Sequence, residues 1–406
     1  MHSQKKQSWS NRRSFLSGLL GLIIGTVFPP KTNATIKIED NPLSLFPTLA
    51  GYRPKVFSAW IPKDQRPKDL LSSIIERVSD FSWLGRGDKV LIKLALNSGN
   101  PFPATSDPWT LECLIDILRE KGAGEIIVGD QSGIANVDWR GNKKKGSSRK
   151  LCHESGLMEV IERKKATAIF FEEAGQSSYF RTQPKPNHHW STPLYITKAV
   201  LKADHIIYLP RVGSHFLGEI TAGFKLGVGF LREDSRGNLH RGGEYFNAMY
   251  EEINEIPEIK TRFRFSLTSG RLVLATMGPD RGTITKPERG LVFASEDLLA
   301  GELLAYAWLQ WNRDMETSFF SRDILPKTAN IRSFANKQFV KMTWGPDQKE
   351  PSRGISQFRP GIIYWHPAIL NHMRRLGGRP ELIDWQQVNP IINHPPDAYI
   401  RDKLRS

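Results

Sequence analysis

Apolar and polar positions along this chain switch repeatedly between a two-residue and a helical period. Lys55-Val56-Phe57-Ser58-Ala59-Trp60 reads as a strand, and Asp69 to Phe81 carries apolar residues at helical spacing. Lys89-Val90-Leu91-Ile92-Lys93-Leu94 predicts a short apolar strand, and a polar loop rich in glycine and proline follows from Asn97 to Ser106. The next helix has a marked start, with Asp107 as N-cap and Pro108 at the first helical position, and Gly122 closes it. Cys113 lies inside it beside Leu114 and reads as a core residue. Glu125–Gly129 predicts a buried strand, Ser148–Lys164 a helix, and Ala168–Phe171 and His205–Leu209 two further strands. A helix is expected over Glu244–Ile253, then strands Phe263–Leu267 and Leu272–Thr276 on either side of Ser269-Gly270. Strand Leu291–Ala294 leads into a helix from Glu296 to Gln310, with Ser295 as its cap and Asp297 as a second capping candidate. This alternation predicts an α/β fold with a largely parallel sheet flanked by helices.

The pattern weakens at both ends. Beyond Trp311, short Arg- and Pro-rich segments predict an irregular C-terminal extension over residues 311–406, with a short helix near Pro367–Leu376. It is expected to pack on a main domain of residues 50–310. At the other end, Ser10-Asn11-Arg12-Arg13-Ser14-Phe15-Leu16 precedes an apolar run from Leu19 to Phe28. Residues 1–34 resemble a twin-arginine export signal. The resemblance implies the twin-arginine export machinery as a partner, and a site of action in the periplasm or on the outer face of the cytoplasmic membrane. The apolar run falls short of the roughly 20 residues that span a bilayer, so no stable transmembrane span is expected.

Charge and cysteine content narrow the function classes. Across 406 residues, 57 Lys and Arg face 42 Asp and Glu, a net charge of +15. Removing residues 1–34 takes away Lys5, Lys6, Arg12, Arg13 and Lys31 and no acid, and the remainder stays basic. A basic surface attracts anions of any size; for an exported protein the expected partner is a small anionic ligand and not nucleic acid. Cys113 and Cys152 are the only cysteines, which excludes a disulfide scaffold, a Cys₄ zinc ribbon and an iron–sulfur cluster held by this chain alone. The sequence also lacks G-x-G-x-x-G after a strand, G-x-x-x-x-G-K-[ST], G-x-S-x-G and H-E-x-x-H. Dinucleotide enzymes, P-loop NTPases, nucleophile-elbow hydrolases and zincins are therefore disfavoured.

Ligands of α/β sheets bind where strands end. Three strand ends here carry polar groups: Asn97 and Thr105 after the Lys89–Leu94 strand, Asp130 and Ser132 after Val128, and Arg211 with His215 after Leu209. Asn97, Thr105, Asp130, Ser132 and Arg211 are the expected substrate-binding residues. The stretch from Glu219 to Gly229 is small, apolar and dotted with glycine, yet contains Lys225. A lysine among such residues either snorkels to solvent or is desolvated, which lowers its pKa. His188-His189 in a Pro-rich loop and Asp280-Arg281-Gly282 after a strand are weaker candidates.

Several segments together resemble the domain of unknown function 362 family. They are Lys89–Lys93 with Pro103-Ala104-Thr105, Gly124–Gly133, Ala203–Arg211 leading to Ser214-His215, and Leu291–Asp297. The tail His366-Pro367, Leu376-Gly377 and Arg379-Pro380-Glu381 also fits, so the resemblance runs from about Lys55 to Asn389. Many members carry a cysteine-rich ferredoxin-like segment, which this chain lacks. The array His215, Lys225 and His240, with Ala222-Gly223-Phe224, is also similar to a pattern in the nickel-pincer lactate racemase family. That resemblance implies His215 as an acid/base, Lys225 as a tether for the pincer cofactor or a carboxylate clamp, and His240 as a metal ligand. It implies a cofactor-dependent racemase- or isomerase-like activity on a hydroxy acid. Two positions depart from the racemase pattern: no histidine stands near Asp130-Gln131-Ser132, and Phe224 immediately precedes Lys225. The alternative reading is a non-catalytic envelope binding protein or an accessory subunit of a redox complex.

Overall fold

Runs of apolar residues become strands here because helices cover both of their faces. The computed structural model describes residues 42–140, 143–316, 329–344 and 362–405; the segment read as resembling a twin-arginine signal, residues 1–34, lies outside them. The first half alternates β1 (Lys55–Pro62), α1 (Lys68–Val78), β2 (Lys89–Leu94), α2 (Pro108–Glu120) and β3 (Glu125–Asp130). Helices α3 (Ser148–Glu154) and α4 (Leu157–Arg163), then β4 (Thr167–Phe170), complete it. The single helix expected over Ser148–Lys164 is broken at Gly156, whose φ of 80° no continuing helix allows. Asp107 caps α2 as its sequence predicts, accepting from the Trp109 amide at 3.1 Å.

The second half begins with β5 (His205–Leu209), β6 (Arg211–His215) and β7 (Glu219–Thr221). Helices α5 (Gly223–Leu226), α6 (Glu233–Arg241) and α7 (Phe246–Glu252) precede β8 (Phe263–Leu274), β9 (Arg289–Ser295) and α8 (Leu298–Met315). The two strands expected around Ser269-Gly270 are one, because Gly270 lies in register with Leu291 and its carbonyl accepts from Trp308 Nε1 at 2.8 Å. The cap of α8 is Asp297, which accepts from the Ala300 amide at 2.9 Å, and not Ser295, whose hydroxyl instead accepts from the Asp297 amide.

After Trp311 come α9 (Ala329–Trp344), α10 (Pro367–Leu376), β10 (Asp384–Gln387) and α11 (Pro395–Arg405). This segment is less irregular than its composition suggests. β10 joins the main sheet parallel to β1, and the Trp60 indole donates to Asp397 of α11 at 3.0 Å. The main path of the sheet runs β10-β1-β9-β8-β5-β2-β3-β4, and among these strands β9 alone opposes its neighbours. β6 leaves this path to pair with β7 and β8.

Successive strand residues feed opposite layers, as the two-residue period requires. Leu91, Ile206, Tyr208 and Phe293 pack in one core with residues of α7 and α8, such as Tyr250 and Leu303. Val90, Ile92, Ile207 and Val292 pack in the other with Leu71 of α1 and Leu114 of α2. The parallel strands β2, β3, β5 and β8 therefore end on one edge. Among the described residues no helix is long and apolar enough to cross a membrane.

Candidate functional site

The strand-end loops at that edge are tied to one another. Asn97 Nδ2 donates to Asp280 Oδ1 at 2.6 Å, and Asn100 Nδ2 donates to the Asp280 carbonyl at 2.9 Å. The Gly133 amide reaches the Asn97 carbonyl at 3.0 Å, and the Phe216 amide reaches the Gly278 carbonyl at 3.0 Å. Loops after β2, β3, β6 and β8 thus meet. Thr105 is buried deeper in the first of them, its hydroxyl donating to the Asn100 carbonyl at 3.0 Å.

Of the polar residues expected to bind substrate, several have their bonding groups used by the protein. Asp130 accepts from Lys93 Nζ at 2.6 Å and the Gln131 amide at 2.7 Å through Oδ1, and from the Leu96 amide at 2.8 Å through Oδ2. Lys93 also donates to the Leu94 carbonyl at 2.8 Å. The pair is almost fully buried, and Gly229 approaches it so closely that a Cβ there would overlap both charged groups. Asp130 and Asn97 therefore shape the site's walls. Ser132 binds through its backbone, its amide donating to Ser148 Oγ at 2.9 Å and its carbonyl accepting from Arg236, while its buried hydroxyl has no partner among the described residues.

Arg211, His215, Lys225 and His240 behave differently, and the structure brings them together. Each of the last three has its protonation displaced by at least one of the others. Arg211 is 2 % exposed; its Nη2 donates to the Pro279 carbonyl at 2.6 Å and its Nη1 has no partner among the described residues. Gly213 leaves room for that guanidinium, where a Cβ would collide with Nη1. Burial lowers the Arg211 pKa to about 10, against an opposing pull from Asp280. Lys225 sits on α5, whose first turn donates the Phe224 amide to Glu302 Oε2 of α8 at 2.9 Å. Burial first, then Arg211 and Arg236, bring the lysine pKa down to about 8, with Asp280 and Asp130 opposing.

The two imidazoles are locked in opposite tautomers. His215 Nδ1 accepts from the amides of Leu217 at 3.2 Å and Gly218 at 3.0 Å, so the neutral ring carries its proton on Nε2. Burial, together with Lys225, His240 and Arg211, drives its pKa well below the ordinary value. His240 Nδ1 faces Asn336 Oδ1 of α9 at 3.0 Å, and Asn336 Nδ2 donates to the His240 carbonyl at 2.8 Å. An amide oxygen can only accept, so His240 carries its proton on Nδ1 and keeps a lone pair on Nε2. Phe246, Phe339 and Trp344 pack around the His240 ring, and burial lowers its pKa to about 4. Phe246 also lies against His215, at 6.3 Å between ring centroids.

Sequence reasoning missed Arg236, Asn336 and Glu302. Arg236 spends four of its five N–H groups on carbonyls, those of Leu231, Ser132, Gln131 and Gly229, at 2.6 to 3.1 Å, and adds positive charge to the site. Its signal was an arginine within the polar stretch that becomes α6. Glu302 lies in an apolar helix and Asn336 far along the chain, so neither advertised a role. Asp280, a weaker candidate, lines the site as an acid. Among the described residues no group of three or more His, Cys, Asp or Glu could hold a metal, and His188 and His189 belong elsewhere, with His189 Nδ1 2.6 Å from Glu252.

Among solved structures the chain is similar to a structural-genomics target protein from Thermotoga maritima, at 16% identity and a TM-score of 0.40, covering 61% of this chain and 58% of that one. It is similar also to the lactate racemase apoprotein from Thermoanaerobacterium thermosaccharolyticum, at 13% identity and a TM-score of 0.39, covering 59% and 54%. The chain thus spans little more than half the length of either structure. No curated protein matches its sequence. The model of the family described as Domain of unknown function (DUF362) matches residues 90–307, more than half of the chain and all four strand-end loops that meet at this edge, and the chain belongs to that family.

Proposed function

We propose that the cluster of Arg211, His215, Lys225 and His240 is the active site of an enzyme that binds a small hydroxy acid by its carboxylate and exchanges a proton with it. One observation carries the reading. The Lys225 amine has no hydrogen-bond or ion-pair partner among the described residues, and its pKa is lowered to about 8. Such an amine is divided between its two protonation forms near neutral pH, the condition for a general base or a nucleophile. The unpartnered Arg211 Nη1 and the charged fraction of Lys225 are suited to a carboxylate through charge-assisted hydrogen bonds.

The histidines take complementary parts. To act as a base through Nε2, His215 would need its proton on Nδ1, which two backbone amides occupy. It serves instead as a neutral N–H donor to developing negative charge. This revises the proton-moving role that the racemase resemblance implies. His240 offers a lone pair suited to orienting a substrate hydroxyl.

The same residues fit a nickel-pincer group in their donor chemistry. Lys225 offers an amine for a covalent tether, and His240 a neutral nitrogen whose other ring position is held by Asn336. Bound there, such a group would supply hydride-accepting chemistry. With no protein cluster of three ligands among the described residues, nickel would depend on donors from the organic group. The twin-arginine resemblance adds export as part of this proposal, tested by whether residues 1–34 direct a reporter out of the cytoplasm.

The experiment uses D- and L-lactate as probes, with calorimetric titration and deuterium incorporation at the substrate α-carbon in D₂O. Saturable binding is expected, weakened roughly 10- to 100-fold by Arg211→Gln through the lost charged hydrogen bond. Deuterium incorporation should vanish in Lys225→Met. Binding without exchange favours a non-catalytic binding protein, and absence of binding overturns the lactate reading. Intact mass and metal content of protein from its own host report on the cofactor separately.

A further inference from the structure

The two amides that fix the His215 tautomer belong to a turn held from outside by the C-terminal segment. His366, fully buried at the start of α10, has Nε2 3.0 Å from the Gly218 carbonyl, while its Nδ1 accepts from the Ala368 amide at 3.3 Å. The proton of His366 is therefore on Nε2, and Gly218 receives it. Arg332 of α9 directs Nη1 at the Leu217 carbonyl at 3.4 Å. That carbonyl shares a peptide unit with the Gly218 amide, so a cation on its oxygen polarises the N–H that faces His215.

The turn does not hold this shape by local preference. Glu219, at its end, has φ of 66°, a left-handed conformation costly for a residue with a side chain. Arg313 of α8 grips it, pairing with the Glu219 carboxylate and donating to the Glu219 carbonyl at 3.1 Å and the Ala275 carbonyl at 3.0 Å. Besides the local Ile220 amide, which donates to the Gly218 carbonyl at 2.7 Å, the clamps described on the 217–219 turn come from α8 and from chain beyond it.

We propose that His366, assisted by Arg332, is a positioning residue of the site: by holding the Gly218 and Leu217 carbonyls it keeps both amides on His215 Nδ1 and the His215 proton on Nε2. This rests on the reading of His215 as an N–H donor. It gives the conspicuous His366-Pro367 pair a task beyond capping α10, and gives the C-terminal segment a share in the chemistry rather than in packing alone.

The test is the imidazole ¹⁵N spectrum of full-length protein labelled at histidine, with His215 assigned by its loss in His215→Asn. In the wild type the Nε2–H tautomer is expected to be the sole species. His366→Asn keeps a cap acceptor for α10 but cannot reach Gly218, and should shift His215 to a mixture of tautomers. His366→Gln, which retains a donor near the Nε2 position, should restore the wild-type spectrum. Arg332→Gln, on a separate helix, should move the tautomer ratio in the direction of His366→Asn. A His215 signal unchanged in both His366→Asn and Arg332→Gln overturns the inference while leaving the donor reading intact. A wild-type signal with the proton on Nδ1 overturns the donor reading itself.

Discussion

Lys93 and Lys225 are both lysines drawn into the protein at the same edge of the sheet, and they differ in what surrounds their amines. Lys93, 1 % exposed, donates to Asp130 and to a backbone carbonyl and lies 5.2 Å from the centre of the Phe230 ring. Lys225 is only partly buried, and its near neighbours include the cations Arg211 and Arg236. Burial lowers the pKa of each. The first is a closed corner whose charges cancel; the second is a charge with no direct partner among the described residues, influenced by Asp280 and Asp130 only from a distance. Burial alone does not separate the two: the presence or absence of a direct partner does.

The contrast breaks most easily at the closed corner. Replacing Asp130 with Ala leaves Lys93 as an uncompensated buried cation and should cost about 3–5 kcal/mol in chemical denaturation. A loss under about 1 kcal/mol would mean that the pair is not a structural unit. Glu302 sharpens the comparison from the acidic side. Burial pushes its pKa to about 7, with the Phe224 and Gly223 amides and Glu251 as lesser influences. Between the ordinary value of 4.5 and about 7 the native state binds more protons than the unfolded state, so stability falls as pH rises through that window. Glu302→Gln should flatten this fall and raise stability at pH 8 by roughly 2–3 kcal/mol; an unchanged pH profile would show the carboxylate solvated.

Lys225 carries the smallest stability effect and the reverse slope. Its native pKa of about 8 lies below the ordinary 10.5, so the unfolded state binds more protons between those values and stability rises with pH there. Because solvent reaches the amine, Lys225→Met should stabilise the protein at pH 7 by only about 1–2 kcal/mol, while abolishing proton exchange with the probe. A destabilising Lys225→Met would assign the lysine a structural role.

Much of the fold was legible because local rules sufficed. β2 and β5 have the bounds their apolar runs predict, and Asp107-Pro108 starts α2. β6 was not legible: Pro210 interrupts the run, and Arg211, Gly213 and Ser214 form a strand only through pairing with β7 and β8. The polar helix α6 was missed because Arg236 anchors it through carbonyls rather than through an apolar face. The site divided along the same line. Residue type singled out His215 and Lys225, and the racemase resemblance added His240, whereas long-range bonds decide that Asp130 is spent on Lys93 and that the two histidines differ in tautomer. The Asn336 and His366 contacts span 96 and 148 residues, beyond any local pattern.

The most direct measurement is the pKa of Lys225 itself, followed through the ¹³Cε resonance of ¹³C-lysine-labelled protein and assigned by its loss in Lys225→Met. A midpoint near 8 is expected, moving upward in Arg211→Gln as a neighbouring cation is removed. A midpoint at the ordinary value near 10.5, unmoved by Arg211→Gln, would contradict the account, for the amine would then be an ordinary solvated cation.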